Sequence, residues 1–426
     1  MDVATDTAAQ KKVKSTVTCD LEGIIETYNA GAEQLFGYAP EEVIGRKRVS
    51  LFSPGWIVLQ NVGTWLRKAR DEGEFRTRTV FIRKDGSRFN AEIRLTPTFR
   101  EGKQIGYCGV TTPMEETVQP ERKWWTSLVS ALVVLRAPFM SASLIPAFIG
   151  AAYASTILES GAFSTLNFTL ATIGVVLLHL ASNVFNDYFD WTSGTDQANV
   201  SYFQKYSGGS RAVELGLITE RGTRLTAISL LLTSAAIGLY LTFRVGTGVL
   251  VFGLAGAFAG YFYTAPPLRL VARRGLGELA IGMTFGPLIT GGMFYTLTST
   301  YSWTSLLVGL PIGLLIANIL LINQVPDMEA DASTGKNHLV VTFGKENAVL
   351  IYALSVAAAI GISLAIAFEL QRMWLIVPVV ILAAYGASII RYFHRHLHSR
   401  VLVRANIGTV YLSILFGISF TVCLLI

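Results

Sequence analysis

Cysteine is scarce in this chain: three occur in 426 residues, Cys19, Cys108 and Cys423, with no metal-type spacing between them. That excludes a disulfide framework and a thiolate zinc site. Histidine is scarce as well, and none of the five precedes His179, so the N-terminal part has no histidine to offer a haem iron. Charge is the third shortage. Charged residues make up 15% of the chain and hydrophobic ones 51%, where an ordinary soluble domain carries about a quarter charged residues. The deficit is uneven: residues 1–118 hold 17 Lys/Arg and 16 Asp/Glu, whereas residues 119–426 hold 18 and 13. A soluble domain is therefore followed by a membrane-spanning bundle.

Nine apolar stretches stand out in the second part, at about 138–157, 166–189, 224–243, 246–264, 277–297, 303–326, 347–368, 373–392 and 405–426. Each is close to the roughly 20 residues that a spanning helix needs. With the N-terminus inside, the loops 190–223, 265–276, 327–346 and 393–404 with their flanks, plus the segment before the first span, carry sixteen Lys/Arg; the opposite loops carry only Arg244 and Arg372. This bias predicts nine spans, N-in and C-out, in the cytoplasmic (inner) membrane. It also explains the net charge of +6 without nucleic acid, which is not an expected partner. The first apolar span begins only after residue 125, with no secretory leader ahead of it, so the N-terminal domain is expected in the cytoplasm. The segment Trp124 to Leu135 reads as an interfacial helix, or equally as an extension of the first span. The expected division is 1–118 soluble domain, 119–137 linker and interfacial helix, and 138–426 membrane domain.

The soluble domain mixes alternating runs with short helical ones. Ser15 to Tyr28, Thr77 to Arg83, Ser87 to Pro97 and Gln104 to Val110 predict strands, with a hairpin turn at Lys84-Asp85-Gly86. Ala30 to Phe36 and Pro40 to Val43 predict helices, giving an α+β fold on a small antiparallel sheet. The run CDLEGIIETYNAGAEQLFGYAPEEVIGR (Cys19 to Arg46) with RKDGSRFNAEI (Arg83 to Ile93) resembles a PAS sensor domain over nearly all of 14–116. The resemblance implies either an interaction module, able to mediate a dimer, or a small-molecule or redox sensor. The reactive-cysteine motif of flavin photosensors is absent.

Beyond residue 118 there are five aspartates, Asp187, Asp190, Asp196, Asp327 and Asp331, in two short clusters. Both clusters fall at the predicted cytoplasmic ends of apolar helices, where carboxylates are costly and functional by default. In the first, Asn183 and Asp187, and Asn186 and Asp190, share helix faces at i,i+4; the second runs Asn323, Asp327, Asp331 at the same spacing. Two facing acidic rows make an oxygen-rich site suited to Mg²⁺. Lys205, Arg211, Arg269 and Lys336 stand nearby in the sequence. Carboxylates, Mg²⁺ and cations together have the composition of a diphosphate site, and an apolar chamber among the helices could hold a lipid tail. The residues alone thus predict a membrane enzyme that ionises a lipid diphosphate.

The segments NDYFDWTSGTD (Asn186 to Asp196), YSGGSRAVELGLIT (Tyr206 to Thr219), YTAPPLRL (Tyr263 to Leu270), GLGELAIGMTFGP (Gly275 to Pro287) and NQVPDMEADASTGKNHLVVTFG (Asn323 to Gly344) resemble the UbiA superfamily of intramembrane prenyltransferases over about 130–426. The GTD spacing and GKNHL are similar to the 1,4-dihydroxy-2-naphthoate branch, which makes a demethylmenaquinone. Members acting on 4-hydroxybenzoate more often read NDxxDRxxD. Pro326 departs from the arginine usual before the second motif. The resemblance implies that Asn186, Asp190 and Asp196 hold one Mg²⁺ with Asp187 beside them, and that Asp327 and Asp331 hold another. Arg211, Lys336 and Lys205 would grip the diphosphate, Asn183 and Asn323 would orient the metal ligands, and Tyr263 would line the acceptor pocket. The implied substrates are a polyprenyl diphosphate and an aromatic acceptor; homogentisate, a glycerol-phosphate lipid and a porphyrin acid are alternatives to the naphthoate, as is 4-hydroxybenzoate. A membrane receptor whose bundle merely transmits a PAS signal is the competing reading, and it leaves the clustered aspartates unexplained.

Overall fold

The computed structural model describes residues 14–199 and 209–426. These divide into two compact units, one holding the residues through Leu132 together with Ala212–Ile218, the other holding the rest.

In the first unit, β1 (Ser15–Asp20), β2 (Ile25–Tyr28), β3 (Phe75–Ile82), β4 (Arg88–Arg100) and β5 (Lys103–Met114) form an antiparallel sheet in the order β2-β1-β5-β4-β3. The single strand expected over Ser15 to Tyr28 is in fact a hairpin. Asp20 Oδ1 accepts from the amides of Glu22 and Ile24, and Gly23 takes the left-handed conformation that the turn requires. The hairpin expected at Lys84-Asp85-Gly86 joins β3 to β4, with Asp85 Oδ1 accepting from the Ser87 amide at 2.8 Å. The helices α1 (Ala30–Phe36) and α2 (Pro40–Val43) stand where the sequence places them. A further helical stretch, α3 (Gly55–Ile57) running through a π turn into α4 (Gly63–Glu72), covers the sheet's other half.

The core of this unit is aromatic: Phe36 stacks on Phe52 at 4.2 Å and meets Phe81 and Phe89 at 5.8 and 5.6 Å. Cys19 is buried, and desolvation pushes its thiol up to about 12, so it is a poor candidate for redox chemistry. The helix α5 (Trp124–Val134) follows the sheet. Its start is fastened by one side chain, since Gln60 Nε2 donates to the Glu121 carbonyl while Gln60 Oε1 accepts from the Lys123 amide and the Thr126 hydroxyl at 3.1 and 2.6 Å.

The second unit is helical: α6 (Ser141–Ser155), α7 (Thr165–Thr192), α8 (Thr195–Ala198), α9 (Glu220–Val245), α10 (Gly248–Phe262), α11 (Leu276–Met283), α12 (Ile289–Thr298), α13 (Trp303–Ser333), α14 (Leu339–Phe343), α15 (Lys345–Glu369), α16 (Ile376–Arg395) and α17 (Val403–Leu425). Seven helical segments among the described residues are long and apolar enough to cross a membrane. The other two expected spans have a different form. One is the 15-residue α10; the other is α11 and α12 joined by a π turn, Thr284–Leu288, that contains Pro287, whose missing N–H breaks the regular ladder.

α13 is the axis of this unit, packed against α11, α15 and α17. Small residues let backbones approach there: a Cβ on Gly313 would collide with the Gly282 carbonyl, and one on Gly286 with the Gly309 carbonyl. Outward faces carry large apolar side chains such as Phe243, Leu232 and Leu254, which lipid solvates at no cost. Within the helices, hydroxyls such as Thr233 and Thr242 donate to carbonyls one turn back, which satisfies them within their own helix.

If Gln60 fastens the segment ahead of α5, Gln60→Ala should speed tryptic cleavage at Arg122 and Lys123 several-fold. Limited proteolysis of the membrane-embedded protein measures this, and an unchanged cleavage rate would show that the three bonds do not restrain the segment.

Candidate active site

Both aspartate clusters lie at the ends of the two longest helices. On α7, Asp187 and Asp190, spaced i,i+3, are both buried in its last two turns. Gly194, in the left-handed conformation, ends the helix and turns the chain back, so that Asp196 on α8 is also buried beside the same site. On α13, Asp327 and Asp331 are both buried one turn apart. Pro326, the departure noted in the sequence, leaves the Ile322 carbonyl without its helical donor, and Asn406 Nδ2 donates to that carbonyl instead at 3.3 Å. The same amide donates to Asn323 Oδ1 at 2.7 Å. Asn323 is therefore tied to α17 rather than to an aspartate.

The two rows meet on one cation. Lys336 Nζ lies 2.7 Å from Asp190 Oδ1 and 3.8 Å from Asp331 Oδ1. Burial on its own would lower the lysine's pKa, but Asp190 and Asp331 outweigh it and hold the ammonium above its ordinary range. Arg136 is 2.8 Å from Asp187 Oδ1, which also accepts from the Ser210 amide. Arg211 donates to the carbonyls of Asp196 and Asn199 and sits 3.9 Å from the Asp196 carboxylate. Despite that arginine, burial pushes the Asp196 carboxyl up to about 7. Asn199 Nδ2 donates to Asp327 Oδ1 at 2.9 Å, so this one residue links the Arg211 loop to the second cluster. Tyr263 lies just past α10 and is half-buried. The Asn183 Nδ2 is buried without a partner among the described residues, Asn186 is half-buried on α7, and Lys205 lies outside the described residues.

The donor chemistry suits a hard divalent cation. One ammonium already spans both clusters, and the acidic donors are all carboxylate oxygens. Among the described residues no three His, Cys, Asp or Glu side chains converge as a ready-made cage. The remaining ligands of an ion would be substrate oxygens and water, the coordination that Mg²⁺ favours.

Similarity to known proteins places the chain in a family. Residues 143–420 match the model of the UbiA prenyltransferase family. The chain belongs to that family. Residues 13–111 match a PAS domain, so this is a UbiA-family prenyltransferase preceded by a PAS domain. It is 28% identical over 224 residues to the 1,4-dihydroxy-2-naphthoate octaprenyltransferase of Bacillus subtilis (strain 168), covering 52% of this chain and 68% of that protein. To the 1,4-dihydroxy-2-naphthoate octaprenyltransferase of Escherichia coli (strain K12) it is 30% identical over 221 residues, covering 50% and 70%. A UbiA homolog from Archaeoglobus fulgidus, solved bound to GPP and Mg²⁺, shares its fold with a TM-score of 0.50 at 19% identity, covering 69% of this chain and 99% of that one. A UbiA homolog from Aeropyrum pernix K1, solved in its apo form, gives 0.52 at 16% identity, covering 66% and 97%.

Sequence reasoning passed over Arg136, Asn199, Glu278 and His338. Arg136 counted only as a positive-inside charge, and His338 was noticed only as a letter of GKNH. Glu278 is buried, with Oε1 accepting from the Leu339 amide at 3.0 Å. The fold brings Arg136 to Asp187, Asn199 to Asp327 and His338 to Asp331.

Arg136 is partly exposed and Asp187 buried, so removing the arginine strands a buried carboxylate, at a cost below the roughly 3–5 kcal/mol of a fully buried pair. Arg136→Met should therefore lower the thermal midpoint of the detergent-solubilised protein by several degrees, and Arg136→Met with Asp187→Asn should recover most of the loss. Equal midpoints for the parent and the single variant would show that the pair is not needed for stability.

Proposed function

We propose that this prenyltransferase moves a polyprenyl group from an allylic polyprenyl diphosphate to 1,4-dihydroxy-2-naphthoate, with Mg²⁺ as its cofactor, at the cytoplasmic face of the cell's inner membrane. The observation that carries the reading is the convergence of Asp190 and Asp331 on the Lys336 ammonium, which brings both acidic motifs to one cation-binding point. The names of the relatives support the acceptor, and the Archaeoglobus homolog, with GPP and Mg²⁺, supports the donor half.

In this reading Asn186, Asp190 and Asp196 would hold one ion and Asp327 and Asp331 a second, with Asp187 beside them, paired to Arg136. Mg²⁺ supplies electrostatic stabilisation of the diphosphate as it departs. Lys336, which is paired with Asp190, and Arg211, which donates to the Asp196 and Asn199 carbonyls, would turn toward the phosphate oxygens as the substrate enters, with Lys205 joining them. The allylic C–O bond breaks, the diphosphate keeps the electron pair, and the buried, water-poor surroundings keep water from the cation left behind. Tyr263 lines the acceptor side and offers its ring face to that cation. An electron-rich ring carbon then forms the new C–C bond, and the ring carboxylate leaves as CO₂ to give a prenylated naphthoquinol. A different aromatic or lipid acceptor would change this last half and leave the diphosphate half as it is.

Asp190→Ala and Asp327→Ala should each reduce turnover by at least a hundredfold while the protein still accumulates in the membrane. The test is product formation in membranes at equal protein levels. Full activity in both variants would remove the metal-site assignment.

A further inference from the structure

His338 lies seven residues after Asp331 and is 1% exposed. Both of its ring nitrogens are engaged. It caps α14, with Nδ1 accepting from the Val341 amide at 3.3 Å. A ring nitrogen that accepts carries no hydrogen, so in the neutral imidazole the proton sits on Nε2. Nε2 lies 3.1 Å from Asp331 Oδ2, so the imidazole donates to that oxygen. The other oxygen of the same carboxylate, Oδ1, faces Lys336. The capping bond therefore selects the tautomer, and the tautomer fixes the rotation of the Asp331 carboxylate.

We propose that His338 is a positioning residue for metal capture: it holds Asp331 so that Oδ1 is turned toward the cation point shared with Asp190, whether Lys336 or a divalent ion occupies it. This rests on the reading of Asp331 as a metal ligand. Carboxylate ligands are oriented by hydrogen bonds from outside the coordination sphere, and losing such a partner typically costs 10- to 100-fold in metal affinity or activity.

Local structure surrounds His338 on both sides. The Lys336 amide donates to the Asp331 carbonyl at 2.8 Å, the Arg274 amide donates to the Asn337 carbonyl at 2.8 Å, and the Leu339 amide donates to Glu278. The segment 336–339 is thus held by backbone bonds that do not involve the imidazole, so removing the ring changes Asp331 more than it changes the segment.

The substitutions separate the two jobs of the ring. Asn is a good helix cap but is too short to reach Asp331, so His338→Asn keeps the cap and loses the positioning bond. Gln is longer and can present an N–H to Asp331. Binding of Mn²⁺ to the full-length purified protein, with an unreactive prenyl diphosphate analogue present, is followed by electron paramagnetic resonance beside the thermal midpoint. The expected result is a midpoint within a degree or two of the parent for His338→Asn, Mn²⁺ affinity weaker by tenfold or more, and partial recovery with His338→Gln. Unchanged Mn²⁺ affinity in His338→Asn would overturn the proposal, as would a weakening that only follows a collapse of the midpoint and that Gln does not repair. Asp331→Ala serves as the reference: if it binds Mn²⁺ as the parent does, the reading of Asp331 as a ligand fails, and with it the role given to His338.

Discussion

The buried ammonium of Lys336 is the interaction on which the rest of this site depends. Two helices of 28 and 31 residues end in acidic rows, and without a cation between them those rows would repel across a poorly hydrated space. Lys336 removes that repulsion, and Arg136 and Arg211 do the same for Asp187 and Asp196. The protein thus holds its acidic site together by means of its own cations.

The scaffold follows from the same constraint. Lipid demands that every backbone group be satisfied within its helix, and polar side chains are tolerated only where neighbours meet them. The proline on α13 shows how local the compensation is: the carbonyl freed by Pro326 is taken by Asn406 from another helix. The glycine contacts between α13 and the broken helix α11–α12 bring backbones together near the axis of the unit, while the large apolar side chains are turned outward.

Much of this was legible in the sequence because it repeats on a short period. Apolar runs marked most of the spanning helices to within a few residues, and the spacing of Asp187 and Asp190, and of Asp327 and Asp331, picked out aspartates that the fold buries at the ends of α7 and α13. The hairpin at Lys84-Asp85-Gly86 was readable from its turn residues, whereas Asp20 and Gly23 hid a turn inside what looked like one strand. The partners Arg136, Asn199 and His338 were not legible, since each meets its aspartate through a loop whose path no local pattern encodes. The same limit applied to Asn323, whose face on α13 was clear from spacing while its bond to Asn406 depends on how α17 packs. The span 277–297 was visible as an apolar run, but the π turn at Pro287 was not foreseen from hydropathy.

The most direct test of the central claim is product mass from membranes supplied with Mg²⁺, a polyprenyl diphosphate and either 1,4-dihydroxy-2-naphthoate or 4-hydroxybenzoate. The account predicts a prenylated, decarboxylated naphthoquinol that disappears when EDTA removes the metal. Prenylated 4-hydroxybenzoate in its place would contradict the acceptor, and a product that forms equally well in EDTA would contradict the metal-dependent site.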